Sequence, residues 1–129
     1  MHTGRIITGL FFVLAGINKV LNYAATQSFM VEGGLPLAEI LLPLVILLEI
    51  CGGAIIMIGR GKLVTTLTVI VLAVFTFATN LLFHRFWELD GLIGQLELSL
   101  FFKNLVVIAA LLMITGLTYG ATQAQKSPP

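Results

Sequence analysis

Long apolar runs alternate with short polar connections along this chain. Four of the runs are long enough to cross a bilayer as helices, which takes about 20 apolar residues. They cover residues 5–21, 37–58, 63–83 and 99–117. The pattern predicts an all-α fold, an integral membrane four-helix bundle that occupies residues 1–129 as one domain.

Composition agrees with a membrane protein. The 129 residues are 58% hydrophobic and only 10% charged, and the mean hydropathy is +1.06. Soluble domains contain about 25% charged residues. The formal net charge is +1 and the basic residues are scattered singly, so we expect no nucleic-acid partner. The expected location is a membrane, which the chain crosses several times.

The segments outside the runs are polar. Arg5 precedes the first run and Lys19 lies near its end, which favours a retained anchor; a cleaved signal peptide is the alternative. Residues 22–35 form a polar connection that ends in a turn signature, and residues 88–98 form a longer connection that could hold a short interfacial helix. The tail, residues 118–129, is expected to lack structure.

Positive charges predict the orientation. Arg5, Arg60, Lys62 and Lys126 are expected on one side of the membrane, with no acid among them. The acids expected on the other side are Glu32, Glu39, Glu88, Asp90 and Glu97. The positive-inside rule then puts both termini in the cytoplasm.

Glu49 is the most informative polar residue because it interrupts the apolar run 37–58. A charge near the bilayer centre costs roughly 3 kcal/mol or more, so an intramembrane acid calls for a cationic partner. Lys103 and Lys19 are the most economical partners. A functional role is favoured over a helix–helix clamp. The glycines expected to allow close helix packing are Gly16, Gly52 and Gly53.

Further polar residues collect near the predicted outer ends of the first, third and fourth runs. They are Lys19, Asn80, His84, Arg85, Trp87, Lys103 and Asn104. In a bundle they would converge on a pocket open to the outer leaflet, with Glu49 at its floor about 18 Å below the surface. The plainer interpretation is that the lysines snorkel, that Arg85 and Trp87 are interfacial anchors, and that His84 is an interfacial hydrogen-bonding residue. The threonines of the third run are expected to bond to their own helix carbonyls.

The residue types in the sequence limit which redox cofactors the chain could bind. Membrane haems need opposed axial ligands, and His2 and His84 are predicted on opposite sides of the membrane. Cys51 is the only cysteine, so this chain alone makes neither a disulfide nor an iron–sulfur cluster. We therefore expect no metal and no covalently bound cofactor. A quinone needs only an apolar slot, a few donors and a proton relay, which Lys103, His84, Arg85 and Glu49 would provide.

Several motifs in order give a resemblance to a known family. They are Arg5, GLFFVLAGINKV (9–20), GLPL (34–37), LLEICGGAIIMIG (47–59), ATNLLFHRFW (78–87) and FFKNLVVIAALL (101–112). The chain resembles the DoxX family of small four-helix bacterial inner-membrane proteins, and its FHRFW and FFKN segments resemble the stand-alone members most. The residues at motif positions are Arg5, Lys19, Glu49, His84, Trp87, Lys103 and Asn104.

The resemblance implies a role near membrane redox chemistry. Some family members are described as a membrane subunit of a thiosulfate:quinone oxidoreductase, and others as part of a redox-protective complex. It implies no established catalytic residue. Three hypotheses remain: a quinone- or lipid-binding subunit of a membrane oxidoreductase, a homo-oligomeric transporter with Glu49 as proton or cation carrier, and a non-catalytic scaffold or assembly factor. The expected partners are the lipid bilayer and either a redox subunit or further copies of the chain.

Overall fold

Five α-helices and one short 3₁₀ helix form the described part of the protein, a computed structural model that covers the backbone of residues 2–126 and the side chains of residues 2–120. The helices are α1 (His2–Leu21), α2 (Tyr23–Glu32), α3 (Ala38–Ile58), α4 (Lys62–Phe83) and α5 (Gly91–Lys126), and the 3₁₀ helix is Phe86–Glu88. Of these, α1, α3, α4 and α5 are long and apolar enough to cross a membrane. The predicted all-α fold with four membrane spans is confirmed.

The polar connections differ from the prediction. The connection 22–35 contains a helix that the sequence analysis did not predict, because α2 fills most of it. The fourth span begins at Gly91 rather than at residue 99, since Leu92, Ile93 and Leu96 extend its apolar pattern. The helix also continues to Lys126, so the expectation of an unstructured tail is wrong for residues 118–126; residues 127–129 lie outside the described part.

The long helices pack as a ring. α1 packs chiefly against α3, α3 against α4, and α4 against α5, while α1 and α5 contact each other least. A central core joins Phe12 of α1, Ile56 of α3, Leu72 of α4 and Leu111 of α5. The short α2 folds back over one end, where Met30 packs with Ala38 and Leu42. The seam between α1 and α5 is therefore the most open side of the bundle.

Glycines bring α1 and α3 together. A Cβ built on Gly9 would lie 2.5 Å from the carbonyl oxygen of Gly53, and the reverse contact is equally short. Gly16 packs on Ile50 of α3 in the same way. Gly9 and Gly53 present no side chain to each other, so the two backbones approach closely at this point. This places the C-terminal half of α1 directly beside Glu49.

Candidate functional site

A cavity of about 550 Å³ lies in the end of the bundle that α2 covers. This volume is within the range of about 300–1,000 Å³ that small-molecule pockets occupy. Most of its wall is apolar, and five phenylalanines contribute to it: Phe11, Phe12, Phe29, Phe75 and Phe83. Its polar wall consists of Lys19, Thr26, Glu49, Thr76, Thr79, His84, Lys103 and Asn104.

Glu49 makes a bidentate ion pair with Lys19 in this cavity. The Lys19 Nζ donates to Oε1 at 2.9 Å and to Oε2 at 2.8 Å. The Glu49 side chain is only 5% exposed and that of Lys19 is 26% exposed. The close α1–α3 contact at Gly16 brings the two side chains together. The sequence left Lys19 and Lys103 as alternative partners, and the structure pairs Glu49 with Lys19.

Lys103 reaches the same cavity from α5 without a carboxylate partner. Its Nζ lies 6.0 Å from the centroid of the Phe11 ring, at the outer limit of a cation–π contact. The ion pairs among the described residues do not include it. Since Lys19 and Glu49 neutralise each other, Lys103 leaves the cavity with a net positive character. That favours an occupant with electronegative oxygens.

Two asparagines fix α4 against α5. Asn80 is fully buried, and its Nδ2 donates to the Phe101 carbonyl at 3.2 Å. Asn104 donates through its Nδ2 to the Asn80 Oδ1 at 3.0 Å. Asn104 lines the cavity, but Asn80 does not. Asn80 therefore holds the neighbouring helix in place.

His84 pairs with an acid that the sequence did not single out for the site. Its Nδ1 lies 2.7 Å from Oε2 of Glu97, and the two side chains are 23% and 25% exposed. His84 lines the cavity, so this pair links the cavity to its partly exposed rim. The signal for Glu97 was its spacing of seven residues from Asn104, which puts both on one helix face once α5 is known to begin at Gly91.

Arg85 and Trp87 lie outside the cavity lining. Arg85 bonds to Glu88 at 3.3 Å, with both side chains about half exposed. Trp87 is 54% exposed and packs edge-on against Phe86 and Phe101. The structure thus does not bring these two predicted site residues together with Glu49. Their positions fit the interfacial-anchor interpretation.

Thr76 is a site residue that the sequence interpretation missed. Thr79 follows the expectation and donates to the Phe75 carbonyl at 3.0 Å. The Thr76 Oγ1, in contrast, is buried without a hydrogen-bond partner in the described part of the chain, and the residue is 5% exposed. A buried polar group left unpaired costs about 1–3 kcal/mol. Because Thr76 lines the cavity, its hydroxyl is a donor or acceptor that a bound molecule can satisfy.

Taken together, these groups suit a flat, mostly apolar molecule with carbonyl oxygens. The phenylalanines offer ring faces and edges for stacking. Lys103, Asn104 and the Thr76 hydroxyl offer donors, and the His84–Glu97 pair offers a group that can exchange a proton. The described residues contain no group of three or more metal-ligating side chains.

Comparisons with known proteins agree with this membrane architecture. Residues 1–85 match the sequence profile of the DoxX family. The chain is 38% identical to the inner membrane protein YqjF of Escherichia coli K12 over 114 residues, which is 87% of this chain and 80% of that protein. It is 25% identical to the inner membrane protein YphA of the same organism, over 87% of this chain and 79% of that one. No solved structure matches the chain.

Proposed function

The chain belongs to the DoxX family, and from its cavity we propose that it is the quinone-binding subunit of a membrane redox complex. It is a multi-pass protein of the inner membrane. The observation that carries the proposal is a mostly apolar cavity of about 550 Å³ that contains an unpaired lysine, Lys103, and a buried hydroxyl without a partner, Thr76.

The residues that line the cavity support a quinone as its occupant. A quinone head group is a flat ring whose carbonyl oxygens accept hydrogen bonds, and Lys103 and Thr76 both present donors to the cavity. Phe11 and Phe75 supply apolar walls for the ring. The open seam between α1 and α5, beside Lys103, is where an isoprenoid tail would leave toward the lipid.

A bound quinone would supply two-electron, two-proton chemistry, and the electrons would come from a redox partner subunit. The chain's own residues then bind the head group and deliver protons. Lys103 holds a carbonyl oxygen. His84, which bonds to Glu97 at 2.7 Å, exchanges protons between the cavity and its rim. The Lys19–Glu49 pair keeps a charged floor in a fixed position through its two hydrogen bonds.

The test is a titration of the purified protein in lipid nanodiscs with a short-chain ubiquinone. Trp87 is the only tryptophan. It lies outside the cavity but packs on Phe101, two residues before the cavity-lining Lys103, so quenching of its emission reports binding there. Free tryptophan amide is the control for light absorption. We expect saturable quenching, and about tenfold weaker binding in Lys103→Met and in Thr76→Val, because each loses a hydrogen bond.

Matched variants control for general effects. Thr65 lies on the same helix as Thr76 and also has a buried hydroxyl without a described partner, but it does not line the cavity. Lys62 is a lysine at the other end of the bundle. Thr65→Val and Lys62→Met should bind as the unaltered protein does. Linear quenching that no variant changes would mean simple partitioning into lipid and would refute the quinone site. Proton flux in Glu49→Gln liposomes would then test the transport alternative.

A further inference from the structure

A second cavity lies at the opposite end of the bundle, between α1 and α5. Its volume is about 210 Å³, and it is separate from the larger cavity because the two share no lining residue. One wall is apolar and comes from α5: Ala110, Met113, Ile114 and Leu117. The polar residues of the lining are Arg5 and Thr8 of α1 and Thr118 of α5. The result is a narrow apolar slot with a cation at one end.

Arg5 is the unusual member of this slot. Its guanidinium packs against Gly59, where α3 ends, and its Nη2 contacts the His2 Nδ1 at 3.2 Å. The Arg5 Nε is buried and has no hydrogen-bond partner among the described residues. No described ion pair includes Arg5. A guanidinium stays charged at every physiological pH, and no described carboxylate pairs with this one, so it can bind an anion from outside the chain.

The surrounding charge points to the same kind of partner. Arg60 and Lys62 follow Gly59 directly, and the Lys62 Nζ lies 4.0 Å from the centroid of the Tyr119 ring of α5. The α3–α4 turn therefore gathers positive charge next to Arg5. Every acid of the chain lies elsewhere, either at the α2-covered end of the bundle or, for Glu49, inside it with Lys19 as partner.

We infer that this end of the bundle binds an anionic phospholipid, whose headgroup phosphate contacts Arg5 and whose acyl chain lies in the slot between α1 and α5. A phosphate oxygen accepts hydrogen bonds from a guanidinium in the geometry that arginine prefers. The slot is too small for a whole lipid but has the apolar wall that one chain segment needs. The inference stands apart from the quinone proposal, because it rests on different residues.

Native mass spectrometry of the detergent-solubilised protein tests this inference. Phosphatidylglycerol is titrated against phosphatidylcholine of the same chain length, and inorganic phosphate is the third arm. We expect retained phosphatidylglycerol adducts, weakened about fivefold in Arg5→Met, since one basic residue near an anionic lipid is worth about 1 kcal/mol. Arg85→Met is the matched control at the other end of the bundle and should not change phosphatidylglycerol binding.

Two further variants separate the two parts of the site. Ala110→Leu, which fills the slot, should weaken phosphatidylglycerol binding without changing the response to inorganic phosphate. Arg60→Gln alters an exposed side chain and keeps the test informative if Arg5→Met does not fold. The assignment would be overturned by equal binding of the two lipids, or by equal losses of phosphatidylglycerol affinity in Arg5→Met and Arg85→Met. Phosphate binding as tight as phosphatidylglycerol binding would also overturn it.

Discussion

At the scale of single residues, the two lysines of the larger cavity have different environments. Lys19 makes two short bonds to the buried Glu49 carboxylate. Lys103 has only the distant ring of Phe11 beside it. Removing one member of a buried ion pair leaves an uncompensated charge, whereas removing an unpaired cation leaves none. Lys19 is therefore expected to stabilise the bundle, whereas Lys103 is expected to contribute little to stability and, in the proposed function, binds the quinone.

Stability measurements distinguish these two roles. Glu49→Gln and Lys19→Met should each lower the free energy of unfolding by about 3 kcal/mol, because each strands its partner in the bundle. The double variant should lose much less than the sum of the two. Lys103→Met is the matched control and should change the free energy by under about 0.5 kcal/mol. Reversible unfolding by sodium dodecyl sulfate in mixed micelles measures the free energy of all four variants. Strictly additive losses in the double variant would contradict an interaction between Lys19 and Glu49.

At the scale of elements, the sequence predicted the interior of the spans better than their ends. The spans at 37–58 and 63–83 appear as Ala38–Ile58 and Lys62–Phe83, since a long apolar run has one stable form in lipid. The start of α5 was missed because Gly91 and Gly94 are typical of a loop, although Leu92, Ile93 and Leu96 continue the apolar pattern of the helix.

That boundary also determined which site contacts could be predicted. The His84–Glu97 pair depends on α5 beginning early enough to carry Glu97 on its inner face. The choice between Lys19 and Lys103 depends on how α1 and α5 rotate around α3, which packing decides. The need of Glu49 for a partner could be predicted from its apolar surroundings in the sequence alone. The identity of that partner required the three-dimensional arrangement.

The α1–α3 contact gives a prediction at this scale. Gly9→Ala places a methyl group against the Gly53 carbonyl, so α1 and α3 must separate. We expect the free energy of unfolding to fall by about 2 kcal/mol, as for other overpacked contacts. Gly116→Ala is the control, because a Cβ there meets no atom within 4 Å; it should be neutral or stabilise α5 by about 0.5–1 kcal/mol. Equal effects of the two in the same unfolding assay would show that helix propensity, rather than the contact, controls stability.

At the scale of the whole molecule, the two cavities lie at ends of opposite character. The larger cavity lies at the end that carries Glu88, Asp90 and Glu97, and the smaller at the end with Arg5 and Arg60. Four spans put the two ends of the described chain on the same side of the membrane. The orientation therefore decides which leaflet each cavity faces, and on which side of the membrane the proposed proton exchange at His84 and Glu97 would take place.

Cysteine labelling tests the predicted orientation. Cys51 is the only cysteine, so a Cys51→Ser background allows single cysteines to be introduced as Thr3→Cys and Asp90→Cys. The positive-inside rule predicts that a membrane-impermeant maleimide labels Asp90→Cys in intact spheroplasts and Thr3→Cys only after lysis. This result would place the larger cavity in the outer leaflet and the phospholipid slot in the inner one. The reverse pattern would contradict the rule for this chain, and the proposed proton path through His84 and Glu97 would then open to the cytoplasm.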